Sequence, residues 1–421
     1  MNRLLPSIFC VAILSTTINA QNIKRCSTTE YEHFLEETDP NFTYNRQQAD
    51  LAVEEWLKNN PGEKSGVVVT IPVVVHVVYN TSQQNISDKQ VYSGIDVLNR
   101  DFSRQNLDTA NTPSVFKSIA ADTEIRFCVA HRDPNGAWTN GITRTQTNTT
   151  SFNTNDAVKS NGSGGKTGWD RNKYLNIWVC NLGSGLLGYA TPPGASASSD
   201  GVVCGYRYFG DIADTDGTFV LSAPFNKGRT VTHEVGHWLN LRHIWGDSNC
   251  GNDLVNDTPT QQSSNFGCPN FPKITCSNGP NGDMFTNYMD YSDDGCMNVF
   301  SVGQGARMQA CVNTTRVSLK SSDGCEGAIN SLKEEMKTIT NFSIFPNPAS
   351  EQVQVQVELG IENNISLEIV DITGKRVFQK SYSKLQQLSD NISVSNLESG
   401  IYMVKVNSGT YTKIKKLIIN Q

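Results

Sequence analysis

Three histidines inside eleven residues, His233, His237 and His243, constrain this chain more than any other feature. The run reads Thr232-His233-Glu234-Val235-Gly236-His237-Trp238-Leu239-Asn240-Leu241-Arg242-His243. His233 and His237 stand four apart, so a helix puts both imidazoles on one face, within reach of a single metal ion. Glu234, one position on, is placed to touch a water beside that metal without ligating it. His243 joins the same metal only if the helix stops and the chain turns back. Asn240 suits that stop, because Asn enters the left-handed region more readily than most residues that carry a Cβ.

This segment resembles the metzincin signature H-E-x-x-H-x-x-G-x-x-H, with Asn240 standing where Gly is usual. Downstream, Asn287-Tyr288-Met289-Asp290-Tyr291-Ser292-Asp293-Asp294 is similar to the methionine turn of those enzymes. Together the two segments resemble the pappalysin family, in particular its smaller ulilysin- and mirolysin-like bacterial members. The resemblance implies an α+β metzincin-like zinc peptidase domain acting on proteins or peptides. It assigns zinc to His233, His237 and His243, the general base to Glu234, and to Met289 a place beneath the metal. Tyr291 is placed beside the metal, either to assist the oxyanion or as a packing aromatic under the turn. Asp294 matches the base of the S1′ pocket, where a carboxylate favours Arg, and less strongly Lys, after the scissile bond. Asp253, Asp257 and Thr258 resemble a calcium loop; otherwise they cap one another in a surface turn. A different class of function is a surface adhesin with a silent peptidase fold, which would be expected to have lost Glu234.

The net charge of −6 argues against a nucleic-acid partner, which needs a basic surface. Beyond the N-terminus no apolar stretch is long enough to span a bilayer. Residues 1–20 read as a secretory signal, with Arg3, an apolar stretch from Ile8 to Leu14 and small residues ending at Ala20. A secreted or bacterial cell-surface location follows, and an oxidising compartment makes disulfides the default for the cysteines after Cys10. The resemblance implies Cys250–Cys276 and Cys268–Cys296, stapling the loop between the third His and the methionine turn. Proximity suggests Cys311 with Cys325. Cys26, in Arg25-Cys26-Ser27-Thr28, is either a disulfide partner or, as the resemblance implies, a cysteine switch whose thiolate takes the open zinc position.

Residues 21–65 are polar with a helical pattern and end in Asn60-Pro61-Gly62-Glu63-Lys64-Ser65, a loop a protease can reach, so they read as a propeptide. Residues 66–328 form the catalytic domain. The β-branched run Val67 to Tyr79 predicts a buried strand, with His76 a satisfied core residue. A helix is expected over Asp88 to Gln105, strands over Glu124 to Ala130 and Tyr174 to Cys180, and an edge strand for substrate over Gly201 to Tyr208. Residues 338–421 alternate with period two between frequent turns, which predicts an all-β sandwich. Phe345-Pro346-Asn347-Pro348, Gly374-Lys375 and the Lys-rich end resemble the C-terminal sorting domain of type IX secretion, making that machinery a partner. An adhesion or carbohydrate-binding module is the other reading.

Overall fold

The computed structural model describes residues 23–61, 68–326, 339–408 and 411–421. The expected signal segment and most of the expected cleavage loop lie outside them. Two compact units divide at Gly324/Cys325.

The first unit is built on a six-stranded mixed sheet. After two helices, α1 (Thr28–Thr38) and α2 (Phe42–Asn59), the chain enters β1 (Val69–Tyr79). Both faces of β1 are covered, which is why its sequence is a continuous apolar run. Val73, Val75 and Val77 point into the main core, and Val78 joins a second cluster on the opposite face. His76 is fully buried, with Thr143 Oγ1 2.7 Å from Nδ1 and Asn176 Oδ1 3.0 Å from Nε2. Along one side of β1 lie β2 (Ile125–Val129) and β3 (Ile142–Gln146), end to end; along the other lie β4 (Leu175–Cys180), then β6 (Val202–Gly205), then β5 (Gly188–Ala190). All pairings are parallel except β5 with β6.

That order corrects one expectation. The strand within Gly201–Tyr208 is interior, between β4 and β5, and the edge is the three-residue β5. So short a strand carries no period-two signal, and only the antiparallel return from β5 into β6 reveals it.

Helix α3 (Asp88–Phe102) starts at Ser87, whose Oγ accepts from Gln90 N at 3.2 Å, and buries Val91, Ile95, Leu98 and Phe102 against the sheet. Beside it lies α4 (Arg229–Trp238), every residue of which is buried. Its polar side chains are tied down: Thr232 donates to Asp101 at 2.6 Å, Arg229 pairs with Asp101 and Asp108, and Trp238 Nε1 donates to Asp200 at 2.8 Å. Helix α5 (Val302–Thr314) opens with a Ser301/Gln304 capping box. Cys250–Cys276 and Cys268–Cys296 staple the irregular segment between α4 and α5.

The expected pairing of Cys311 with Cys325 is not made. Cys311 is a free thiol buried on α5, whereas Cys325 is disulfide-bonded. Cys26, Cys180 and Cys204 are free and buried as well. Closeness in sequence says little about which side chains face each other once a helix turns its cysteine inward.

The second unit is all β and antiparallel, with strands β7 (Ile339–Phe345), β8 (Gln352–Asp371), β9 (Arg376–Ser393), β10 (Gly400–Ser408) and β11 (Tyr411–Ile419). The long β8 pairs with β7 through its first half, β10 through its second and β9 along both. Alternate residues such as Val353, Val355, Leu367 and Ile369 fill one shared core.

Candidate active site

Helix α4 ends by a left-handed residue. Asn240 has φ +74°, Leu241 N donates to Gly236 O at 2.9 Å, and the chain reverses, as the Asn at this position led one to expect. Arg307 Nε caps Asn240 O at 2.8 Å. His243 thereby comes back to His233 and His237.

The three imidazoles meet through Nε2: His237 Nε2 lies 3.1 Å from both His233 Nε2 and His243 Nε2. Each Nδ1 is engaged elsewhere. His233 Nδ1 is 2.7 Å from Tyr288 O, His237 Nδ1 is 2.9 Å from Leu241 O, and His243 Nδ1 is 2.5 Å from Asp247 Oδ1. A carbonyl oxygen accepts only, so Nδ1 carries the proton in His233 and His237 and their Nε2 lone pairs face one another. Burial and the neighbouring imidazoles hold His233 far below the ordinary histidine range and His237 at about 3. Lone pairs packed this closely in a buried site call for a cation among them. With Cys26 Sγ they form a group of four donor atoms, all within 4.8 Å of one another, a composition suited to zinc.

Glu234 is fully buried beside this group. Its Oε2 accepts from Thr28 Oγ1 at 3.0 Å and from Cys26 Sγ at 3.4 Å, while Oε1 has no partner among the described residues. Burial raises its pKa to about 8, against the opposing pull of Cys26, Thr28 and Arg25. The side chain lies against the sheet edge: a Cβ on Gly188 would stand 2.9 Å from Glu234 Cγ. Met289 is buried beneath α4. The Tyr291 ring lies 5.0 Å from His243 and 4.8 Å from Trp245.

Asp294 sits at the start of α4, where its Oδ2 accepts from the backbone N–H groups of Lys227 (2.9 Å) and Arg229 (3.3 Å). The N-terminal segment meets it there. Arg25 Nη1 is 3.5 Å from Asp294 Oδ1, both side chains are buried, and the guanidinium lies 4.2 Å over the ring of Phe225. Lys24 to Thr28 run parallel to the edge strand: Lys24 bridges Leu186, Ser27 N donates to Gly188 O at 3.1 Å, and Ala190 N donates to Thr28 Oγ1 at 3.0 Å. Farther along, Asp50 of α2 takes Arg307 at 2.7 Å and Arg242 at 3.1 Å.

Of the expected calcium residues, Asp253 and Thr258 meet and Asp257 points elsewhere. Asp253 Oδ2 accepts from Thr258 Oγ1 at 2.8 Å, whereas Asp257 turns to the start of α5, accepting from Ser301 Oγ at 2.6 Å and Gly303 N at 2.8 Å. Sequence reading missed Thr28, Asp247 and Asp50. Asp247, four residues past His243, was within reach of an argument from the second partner that a ligating imidazole needs; the other two depend on docking of the N-terminal segment.

Residues 159–313 match the family described as Pregnancy-associated plasma protein-A. An extracellular metalloprotease of Verticillium alfalfae is 31% identical over 255 residues, covering 58% of this chain and 76% of that protein. The chain is a metallopeptidase of the pappalysin family. Among solved pappalysins, mature mirolysin of Tannerella forsythia in complex with a cleaved peptide is 52% identical, with TM-score 0.58 over 60% of this chain and 96% of its own. A promirolysin mutant from the same organism matches 72% of this chain and 99% of its own, at 46% identity and TM-score 0.64. Residues 343–420 match the secretion system C-terminal sorting domain. This pappalysin is therefore a secreted or cell-surface metalloendopeptidase carrying a type IX sorting domain, and no helix among its described residues is long and apolar enough to cross a membrane.

Proposed function

We propose that the enzyme holds zinc on His233, His237 and His243, is made as a zymogen silenced by Cys26, and cuts proteins before Arg, less readily before Lys. The observation that carries this reading is the run Arg25-Cys26, which sets a guanidinium on Asp294 and a thiol among the three imidazoles at once. In the latent chain Cys26 Sγ would be the fourth donor to zinc beside the three imidazoles, and Arg25 fills the S1′ pocket. Removal of residues 21–65 frees both. The catalytic and sorting domains then span 66–328 and 338–421.

Bound zinc supplies Lewis acidity at the scissile carbonyl. Glu234 takes the proton of the attacking water at Oε2 and passes it to the leaving amine. Burial supports this role, because desolvation makes the carboxylate a stronger base than one in water. The Tyr291 hydroxyl donates to the developing oxyanion, while its ring packs edge-on against His243 and Trp245 and at a tilt to Phe266. Met289 supports the histidine helix from below. Asp294 binds the guanidinium of the residue after the cut bond. Calcium is the second proposed metal, with Asp253 and Thr258 the best-matched ligands; the buried Asp253 carboxyl, pushed up to about 6 by desolvation, is the group a hard cation would relieve.

The test is digestion of a denatured protein by the zinc-loaded, self-processed chain, with and without a chelator and beside Glu234→Ala. Chelator-sensitive cuts before Arg, absent in the variant, are expected. Cuts that survive both treatments, or that ignore Arg, would overturn the reading.

A further inference from the structure

Tyr31, on α1, is fully buried in a socket; its ring stacks on Phe34 of the same helix at 6.1 Å, and the groups that hold its hydroxyl come from residues 156–159. Its hydroxyl donates to the Asp156 carboxylate at 2.7 and 2.9 Å and accepts from Lys159 Nζ at 3.2 Å. Its ring lies 4.9 Å from that of Tyr189 on the edge strand, and the Lys159 ammonium sits 4.6 Å over it. Lys159 is itself 4% exposed and is held without help from Tyr31, by Asp156 at 2.8 Å, Thr191 Oγ1 at 2.9 Å and Ser199 O at 2.8 Å. The ion pair is therefore intact when the N-terminal segment leaves, and the socket is a preformed site for a phenol: aromatic wall, cation over the ring, carboxylate at the hydroxyl. It opens into a cleft of about 620 Å³ between α1 and the loops bearing Asp156 and Ser199.

Its place along the edge strand gives it a meaning. Arg25, Cys26, Thr28 and Tyr31 follow one another past Asp294, the three histidines, Glu234 and this socket. The socket and the Asp294 pocket therefore lie on opposite sides of the metal group. From Cys26 two residue steps reach the start of α1 and three more lie within it, at most roughly 11 Å in all, which an extended peptide spans in about three residues.

We infer that the activated enzyme has a second specificity subsite, made by Asp156, Lys159 and Tyr189, which takes a tyrosine about three residues before the scissile bond. This rests on the reading of Asp294 as the pocket for Arg after that bond. Tyr31 occupies the subsite in the latent chain, as Arg25 occupies the other. Phenylalanine gains the aromatic wall but leaves Asp156 without its phenol donor, so discrimination against it is smaller than against alanine.

The zinc-loaded chain, after self-processing, is given peptides with Arg after the cut bond and Tyr, Phe, Leu or Ala at the second, third or fourth position before it. At one position Tyr should exceed Ala in kcat/KM by about tenfold and Phe by several-fold. Asp156→Asn, at a left-handed backbone position that Asn tolerates, should lower the Tyr to Phe ratio, each read against the Ala peptide in the same variant, because an amide oxygen accepts from the phenol more weakly than a carboxylate. Tyr within twofold of Ala at all three positions, or an unchanged ratio in Asp156→Asn, overturns the inference alone, since cleavage before Arg continues. Cleavage elsewhere than before Arg overturns the parent reading, and this one with it.

Discussion

The sulfur of Met289 occupies the space that a side chain on Gly236 would need: a Cβ there would stand 2.5 Å from Sδ. The contact explains both residues. Gly236 lies between the paired histidines of α4, on the face turned to the methionine turn, and its missing side chain lets that turn close against the helix. Tyr288 O, one residue before Met289, holds His233 Nδ1. A shift of the turn therefore reaches the imidazole directly.

Gly236→Ala should displace Met289, which is fully buried and has little room to move. We expect a loss of about 1–3 kcal/mol of stability, as for other overpacked cores, and weaker metal retention. Thermal unfolding and metal content after dialysis measure the two effects. An alanine variant with wild-type values in both would show that the sulfur relocates freely.

Cys26→Ala in the full chain should shorten the lag before proteolysis appears, because one of four converging donors is lost. Arg25→Ala should shorten it less, since the Arg25–Asp294 contact at 3.5 Å is looser than a bidentate pair. Time courses of fluorogenic peptide cleavage after zinc addition would order the three chains. Equal lags would mean that latency resides in α1 and α2.

Asp294→Asn keeps an oxygen for the Lys227 and Arg229 amides but removes the charge. Cleavage before Arg should fall about 10–100-fold relative to cleavage before uncharged residues. Mass spectrometry of casein digests reads the ratio. A preference for Arg that persists would place recognition elsewhere.

His76 makes stability depend on pH. Burial holds it at about 4 instead of the usual 6.5, so the folded state binds fewer protons than the unfolded one between those values. Its contribution is fully present above pH 6.5 and is lost as pH falls from 6.5 to 4, by up to about 3 kcal/mol. Denaturant unfolding of wild type and His76→Gln across that window isolates it, because every other titrating group is common to both. The difference between the two proteins should shrink as pH falls; a constant difference would refute the assignment.

Much of the site was legible beforehand because its signals are local. The helical spacing of His233 and His237, the left-handed Asn240 and the buried strand with His76 follow from backbone geometry within a few residues. The edge strand was misplaced because β5 is three residues long and is recognised only by its pairing with β6. Cys311 was misassigned for a similar reason: neighbours in sequence are not neighbours across a helix. Asp257, expected beside Asp253 and Thr258, instead caps α5, a partner 44 positions away that no local pattern announces.

The sequence by itself determined the chemistry: three imidazoles and a carboxylate on one helix and its return, and two disulfides that hold the loop beyond. Those depend on periodicity, on propensity and on family resemblance. Only the tertiary structure decided what the N-terminal segment touches. Arg25 meets Asp294 across 269 positions, and Tyr31 meets Asp156 across 125. Contacts of that range leave no periodic trace, since they arise from how the sheet edge and the N-terminal helices dock once each has formed.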